Sequence, residues 1–264
     1  MAVLRYIAFL ADDPEELCAF YSRFLDLSEL GRSPDGDISA TDGFYNLTFF
    51  RKRAGLNEMR MESGLHHVGL EVENLEDVKA RFLTFNPRGM ILPEPAGIHY
   101  GELRIHDPEC HPISLSTRGF GVPPGAGKAF PRVRHIAYNA LDPETMLRFY
   151  TQVFALREVP SSYERRRQGR GNRFCGDGHT NLAIHPFYSA VEGHESRFGI
   201  NHIGFLVKDM QAVMAELSTV LKIMPRPSSR PYSEFRLRDP EGNALDLSQT
   251  KGWEVDVDKW ERAA

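Results

Sequence analysis

NHIGFLVKDMQAV, from Asn201 to Val213, decides how this chain is read, because it has a near copy in HHVGLEVENLEDV, from His66 to Val78. In each copy a short apolar run of strand character gives way, at an Asp or Asn, to a helical pattern. About thirty residues further on come LRIHDPECHPISLS from Leu103 and FRLRDPEGNALDLS from Phe235, again a matched pair. A third pair opens the halves. YIAF at Tyr6, Asp13-Pro14-Glu15 and FYSRFLDL (Phe20 to Leu27) answer HIAY at His135, Asp142-Pro143-Glu144 and FYTQVFAL (Phe149 to Leu156). Self-similarity of this kind fixes the architecture before any single element does. The order is ABA′B′: two halves, each with an A-type and a B-type unit.

Within each unit the periodicities change in the same sequence. Asp142 is a helix N-cap with Pro143 at the first helical position and Glu144 in the first turn. Met146, Leu147, Tyr150, Val153 and Phe154 then mark one apolar helix face. After Asp209 the stripe Met210, Val213, Met214, Leu217, Val220 and Leu221 predicts a helix, and Asn74 caps another that carries Leu75, Val78, Phe82 and Leu83. Short strand-like pieces follow, at Phe44–Phe50, Ile113–Ser116, Asn181–Phe187 and Ala244–Ser248. Asp239-Pro240-Glu241-Gly242-Asn243 has the chemistry of a tight turn. Strand, helix and three strands, four times over, is an α+β plan with helices on one face of mainly antiparallel sheets. Gly119 to Lys128 (GFGVPPGAGK) reads as the linker. The expected domains are 1–120 and 130–250, followed by a tail, 251–264, that is either a short packed helix or disordered.

Composition excludes several functions. The 264 residues carry a formal charge of −4, so no basic field exists to hold nucleic acid or anionic lipid. The one basic cluster, Arg165, Arg166, Arg167 and Arg170, reads as a solvated loop. No run approaches the ~20 apolar residues of a membrane span, and the first residues lack the pattern of a signal peptide. Three widely spaced cysteines, Cys18, Cys110 and Cys175, argue for a reducing cytoplasm and against a disulfide framework.

Chemistry concentrates in the second half. His135 and His202 sit in matched strand-like runs, and Asp246 lies on the last strand. Two imidazoles and a carboxylate from three strands are the ligand set of a facial metal site with open positions. A histidine on an apolar strand is more often a core residue, but the repeat-equivalent spacing and the matching Asp246 favour the ligand reading. Asp246 alternates with Leu245 and Leu247, so it faces away from them. Arg236 is expected in the same cavity, where it either binds a substrate carboxylate or enolate oxygen or forms a salt bridge with Asp246 in a metal-free cup. His185 is a candidate acid/base group or substitute ligand, and Tyr138 and Asn181 are candidate cavity residues.

The HIA and HIG strands and the closing DPEGNALDL resemble the vicinal oxygen chelate superfamily, which includes glyoxalase I, extradiol catechol dioxygenases and fosfomycin-resistance enzymes. The resemblance implies four βαβββ modules forming two tandem glyoxalase-like domains with curled sheets. It also implies metal ligands at His135, His202 and Asp246. The family's fourth ligand position falls at Ala183, which cannot ligate, and three ligands without a fourth is the extradiol pattern. In the first half Tyr6 and Ser114 replace two of the ligands and only His67 remains, as in a duplicate kept for structure. The chain departs from extradiol enzymes in three ways. Arg236 stands where they place a tyrosine, their catalytic histidine falls at Thr180 with His179 adjacent, and Asp246 replaces their usual glutamate.

The resemblance implies one divalent metal ion per chain, Fe(II) in first place and Mn(II), Zn(II) or Ni(II) otherwise. The expected activity is dioxygenase-like, on a small chelating, catechol-like or oxyacid substrate. The alternatives are Lewis-acid isomerase or lyase chemistry, or a non-catalytic small-molecule binder. The expected partners are the small-molecule substrate and, for oxidative chemistry, O2, with no nucleic acid and no membrane; a homo-oligomer is compatible with the sequence.

Overall fold

The computed structural model describes residues 2–53, 62–94, 100–125, 130–159, 171–187, 198–227, 232–250 and 252–253. The Arg165–Arg170 cluster and the tail beyond Trp253 lie outside the described residues. The first half runs β1 (Val3–Ala11), α1 (Pro14–Leu25), β2 (Ser28–Arg32), β3 (Ile38–Thr41), β4 (Asn46–Arg51), β5 (Gly64–Glu71), α2 (Leu75–Phe85), β6 (Leu92–Pro93), β7 (Leu103–His106) and β8 (Pro112–Ser116). The second half repeats it as β9 (Arg132–Ala140), α3 (Pro143–Phe154), β10 (Arg157–Glu158), β11 (Arg173–Gly176), β12 (Asn181–Pro186), β13 (Gly199–Leu206), α4 (Met210–Leu217), β14 (Met224–Pro225), β15 (Phe235–Arg238) and β16 (Ala244–Ser248).

Each half is one eight-stranded sheet, ordered β2-β3-β4-β1-β5-β8-β7-β6 and β10-β11-β12-β9-β13-β16-β15-β14. Two pairings in each sheet are parallel, β1 with β4 and β5 with β8 in the first, β12 with β9 and β13 with β16 in the second. The rest are antiparallel. The fold is therefore the expected α+β plan of two tandem glyoxalase-like domains.

Local signals account for the helices. Asp13, Asn74, Asp142 and Asp209 all accept backbone N–H bonds from the first turns that follow them, each cap contributing about 1 kcal/mol. The predicted stripe after Asp209 is too long. The helix stops at Leu217, the chain continues in i→i+3 turns through Thr219 and Val220, and Val220 is exposed. Leu83 is also exposed rather than on the packed face of α2.

Strand alternation sorts the side chains. Ile136, Tyr138, Leu182, Ile184, Ile203, Phe205, Leu245 and Leu247 enter the main core, which runs continuously through both halves. The helices provide the junction, α1 meeting α4 and α2 meeting α3. His135, Ala137, Ala183, His202, Asp246 and Arg236 take the opposite, inner face of the second sheet. β9 also carries a bulge: β13 pairs Gly204 with His135 and Phe205 with Val133, which leaves Arg134 as the extra residue and turns Val133 to the core face. β1 has the same irregularity at Arg5.

The turn motif serves the junction as well. Asp239 Oδ1 accepts from Glu241 N–H (3.0 Å) and Asn243 N–H (2.8 Å), while Asn243 Oδ1 accepts from Leu65 N–H of the other half at 2.9 Å.

The expected linker holds a structural residue. Phe120 is fully buried, stacked on Tyr6 with centroids 4.8 Å apart. It lies so close to Gly69 that a Cβ there would sit 2.6 Å from the Phe120 ring. The start of the tail does the same in the second half. Trp253 stacks on His135 at 5.0 Å and 8°, and a Cβ on Gly204 would meet it at 2.4 Å. The glycine of each H-x-G run thus lets an aromatic ring close over the inner face of its own sheet.

Candidate functional site in the C-terminal cup

The inner face of the second sheet gathers His135 from β9, His202 from β13, Asp246 from β16, Arg236 from β15 and His185 from β12. The His135 and His202 rings lie 5.1 Å apart, and His185 stacks near His202 at 6.3 Å and 17°. His202 Nε2 stands 3.5 Å from Asp246 Oδ2.

Neighbouring amides set the tautomers. His135 Nδ1 donates to Asn181 Oδ1 at 3.0 Å, and His202 Nδ1 donates to Asn201 Oδ1 at 2.7 Å. Because an amide oxygen can only accept, the proton of each neutral ring belongs on Nδ1 and the lone pair on Nε2. Burial disfavours the charged form of both rings. His135 is lowered to about 4, and His202 lies well below the ordinary histidine value, with Arg236 adding to the effect. At neutral pH the cup therefore holds two uncharged imidazoles whose Nε2 atoms can accept.

Asp246 is held differently. Arg236 Nε donates to its Oδ1 at 2.6 Å and Arg236 Nη2 to its Oδ2 at 3.1 Å, while Ser233 Oγ donates to Oδ2 at 3.1 Å. Burial alone would raise this carboxyl, but the Arg236 charge outweighs it and holds the group below the usual carboxylate range. A second guanidinium follows β14, with Arg226 Nη2 at 3.9 Å from Oδ2.

The imidazole pair suits a divalent ion, being neutral and oriented with Nε2 as the acceptor. The carboxylate does not, as it stands. Both oxygens are engaged by Arg236, and among the described residues two guanidinium groups face this one carboxylate, so the fixed charge they carry together is positive. Among the described residues no three His, Cys, Asp or Glu side chains are placed to share one ion. The salt bridge considered for Arg236 is thus the arrangement found.

Other expected site residues fall elsewhere. His179 packs on Phe44 of the first half at 5.0 Å, its carbonyl accepting from Arg134 Nη1 (2.8 Å), and Thr180 Oγ1 shares a 2.6 Å bond with Tyr45 Oη. Both stand at the junction between the halves. Tyr138 lies on the helix side, against His111 at 5.6 Å and Tyr150 at 6.3 Å. It is three positions from His135, an odd offset that reverses the face of a strand residue. Asn181 does reach the cup, through the His135 bond.

Sequence reasoning missed Arg226, Ser233, Asn201 and Trp253. The repeat held signals for two of them: Arg226 aligns with Glu94, and Asn201 with His66.

The equivalent face of the first half is closed on itself. His67 Nε2 bonds Ser114 Oγ at 3.1 Å, Ser114 Oγ donates to Glu94 Oε1 at 2.5 Å, and Arg104 binds Glu94 bidentately at 3.0 and 2.8 Å. One acid meets one guanidinium there, and Phe120 caps Tyr6.

Comparison with known proteins bears on the fold. Residues 132–247 match the model of the Glyoxalase/Bleomycin resistance protein/Dioxygenase superfamily. A search of curated proteins found no match by sequence. Among solved structures, the Mn(II)-bound glyoxalase of Novosphingobium aromaticivorans is 18% identical with a TM-score of 0.72, over 97% of this chain and 84% of that one. The 2,3-dioxygenase LapB of Pseudomonas sp. KL28 is 14% identical with a TM-score of 0.67, over 96% and 92%. A variant of homoprotocatechuate 2,3-dioxygenase from B. fuscum, in complex with HPCA, is 14% identical with a TM-score of 0.67, over 97% and 73%. At these identities the likeness is one of fold, shared over nearly the whole chain, while the family match covers residues 132–247, the second half.

Proposed function

We propose that this protein is an enzyme whose working site is the C-terminal cup, and that it transfers a proton on a small, oxygen-rich substrate of the oxyacid kind, as an isomerase or lyase would. One observation carries the reading. His135 and His202, their rings 5.1 Å apart, each turn Nδ1 to an amide oxygen and keep Nε2 as the acceptor, whereas the equivalent face of the first half is filled by its own hydrogen bonds. A substrate hydroxyl, or the hydrogen on a carbon next to a carbonyl, would give its proton to an imidazole. Bringing an anionic substrate beside that ring raises its basicity, because the imidazolium gains a counter-charge. The first half serves as scaffold.

A second reading keeps the divalent ion. If the proton of His202 is on Nδ1, its Nε2 lone pair faces a carboxylate oxygen at 3.5 Å, an opposition that a cation between them would relieve. Asp246 would have to turn from Arg236 to join the two imidazoles. With Fe(II) the chemistry supplied would be oxidative, towards a catechol-like substrate and O2; with Mn(II), Zn(II) or Ni(II) it would be Lewis-acid stabilisation of an enolate.

The two readings separate in one experiment. Metal content is measured on protein purified without chelator. The chain is then incubated in D2O with a panel of 2-hydroxy and 2-oxo acids, with and without chelator, and deuterium uptake is followed by NMR. Chelator-resistant exchange that is lost on His202→Ala supports the proton-transfer reading. About one ion per chain, lost on His202→Ala, with oxygen uptake on a catechol panel after anaerobic Fe(II) loading, would replace it with the metal reading.

A further inference from the structure

Arg226 stands in the cup without a full complement of partners. By register Met224 of β14 opposes Arg236 of β15, and Arg226 two residues on shares that face. Its nearest carboxylate oxygen, Asp246 Oδ2, is 3.9 Å away and already accepts from Arg236 and Ser233. Arg226 Nε is buried and makes no hydrogen bond. A buried guanidinium nitrogen left in that state is costly, which makes it a place where an acceptor is missing.

The repeat sharpens the point. Leu92-Pro93-Glu94 and Met224-Pro225-Arg226 occupy the same place in the two sheets. In the first half, Glu94 at this position is the partner of Arg104, and the charges cancel. In the second, the acid has moved across the sheet to Asp246 and an arginine has taken its former place. The described cup therefore carries two guanidinium groups against one carboxylate, with neutral imidazoles beside them: a surplus of one positive charge.

We propose that Arg226 is an anion-gripping residue, and that the group it takes is a carboxylate or phosphate oxyanion of the ligand. This rests on the reading of the C-terminal cup as the working site. An oxyanion at Nε supplies the missing acceptor and the missing charge together, with the fork geometry that guanidinium offers to planar oxyanions. Arg226 keeps 16% of its side-chain surface exposed, against 9% for Arg236, so the surplus charge is the one reached from solvent. Arg236 stays with Asp246 and fixes the carboxylate against which the anion is placed.

The probes are sodium phosphate and sodium malonate, titrated into the full chain at constant ionic strength held with chloride, and read by calorimetry and thermal melting. Saturable binding of either probe, absent with chloride alone, is expected. It should weaken at least tenfold in Arg226→Gln and survive in part in Arg226→Lys. Arg226→Glu, which restores the acid of the first half, should abolish it with the melting transition intact. Which probe binds tells carboxylate from phosphate. No saturable binding to the native protein, or equal affinity in Arg226→Gln, overturns the proposal. His202→Ala keeps the failures apart: anion affinity retained with turnover lost leaves both readings standing. Turnover without anion affinity sinks the grip alone, and anion affinity without turnover in the native protein sinks the proposed activity alone.

Discussion

Asp177, in the turn before β12, accepts the backbone N–H of Leu4 in the other half at 2.7 Å. Asp42, at the matching turn before β4, accepts Val133 N–H at 2.8 Å, so the two bonds are exchanged across the pseudo-twofold of the repeat. Both carboxylates are buried, and desolvation raises both. Truncating either to alanine leaves a buried N–H unpaired, which costs about 1–3 kcal/mol. The expected outcome for Asp177→Ala is a lower urea midpoint and faster amide exchange at Leu4, with Val133 protected as before. Unchanged exchange at Leu4 would remove the clamp from the account of how the halves are held.

Asp246 and Arg236 form a buried ion pair, and removing one partner strands the other. Asp246→Asn is expected to lose about 3–5 kcal/mol of stability. A double-mutant cycle with Arg236→Met, followed by chemical denaturation, checks the coupling. A variant lacking both charges should be more stable than Asp246→Asn alone.

His135 makes stability pH-dependent. Its folded-state value near 4 lies below the ordinary 6.5, so the unfolded chain binds the proton first as pH falls. The contribution is complete above about pH 6.5 and is lost between there and about pH 4, amounting to about 3 kcal/mol at most. Buried Asp239, raised to about 6 by desolvation, acts in the opposite direction over the same range. The comparison that isolates His135 is therefore native protein against His135→Asn. The native chain should lose stability relative to the variant as pH falls from 6.5 to 4, and parallel curves would refute the assignment.

Gly204→Ala places a methyl 2.4 Å from the Trp253 ring and 2.8 Å from His135 Cβ. Overpacking of this kind costs about 1–3 kcal/mol, and the ring is the part that can yield. In a Trp260→Phe background the emission of Trp253 should shift to longer wavelength while the circular dichroism of the fold is retained. Gly69→Ala should disturb Phe120 in the same manner without changing that emission.

Much of this molecule was legible in its sequence because repeats and caps are local. The two copies of the H-x-G strand, the Asp-Pro-Glu helix starts and the Asp-Pro turns determined four modules, two halves and the α+β class. Strand alternation then put His202 and Asp246 on one face. Alternation is broken in β9 by the bulge at Arg134, whereas Tyr138, three residues from His135, obeys it and so lies on the core face. Helix α4 differs for another reason: it stops at Leu217, and of the stripe beyond it Leu221 still packs on the core while Val220 is exposed.

What only the tertiary structure decided was the company each group keeps. The sequence placed Asp246 among prospective ligands, but Arg236, ten positions earlier and directly opposite in the hairpin, holds both of its oxygens. It marked a linker and a tail, yet Phe120 and Trp253 fold back as rings over the two inner faces. The facing of Arg226 depends on the pairing of β14 with β15. Residue type and spacing fix backbone course and facing; charge balance depends on distances between strands far apart in the chain, which are set only when the sheet closes.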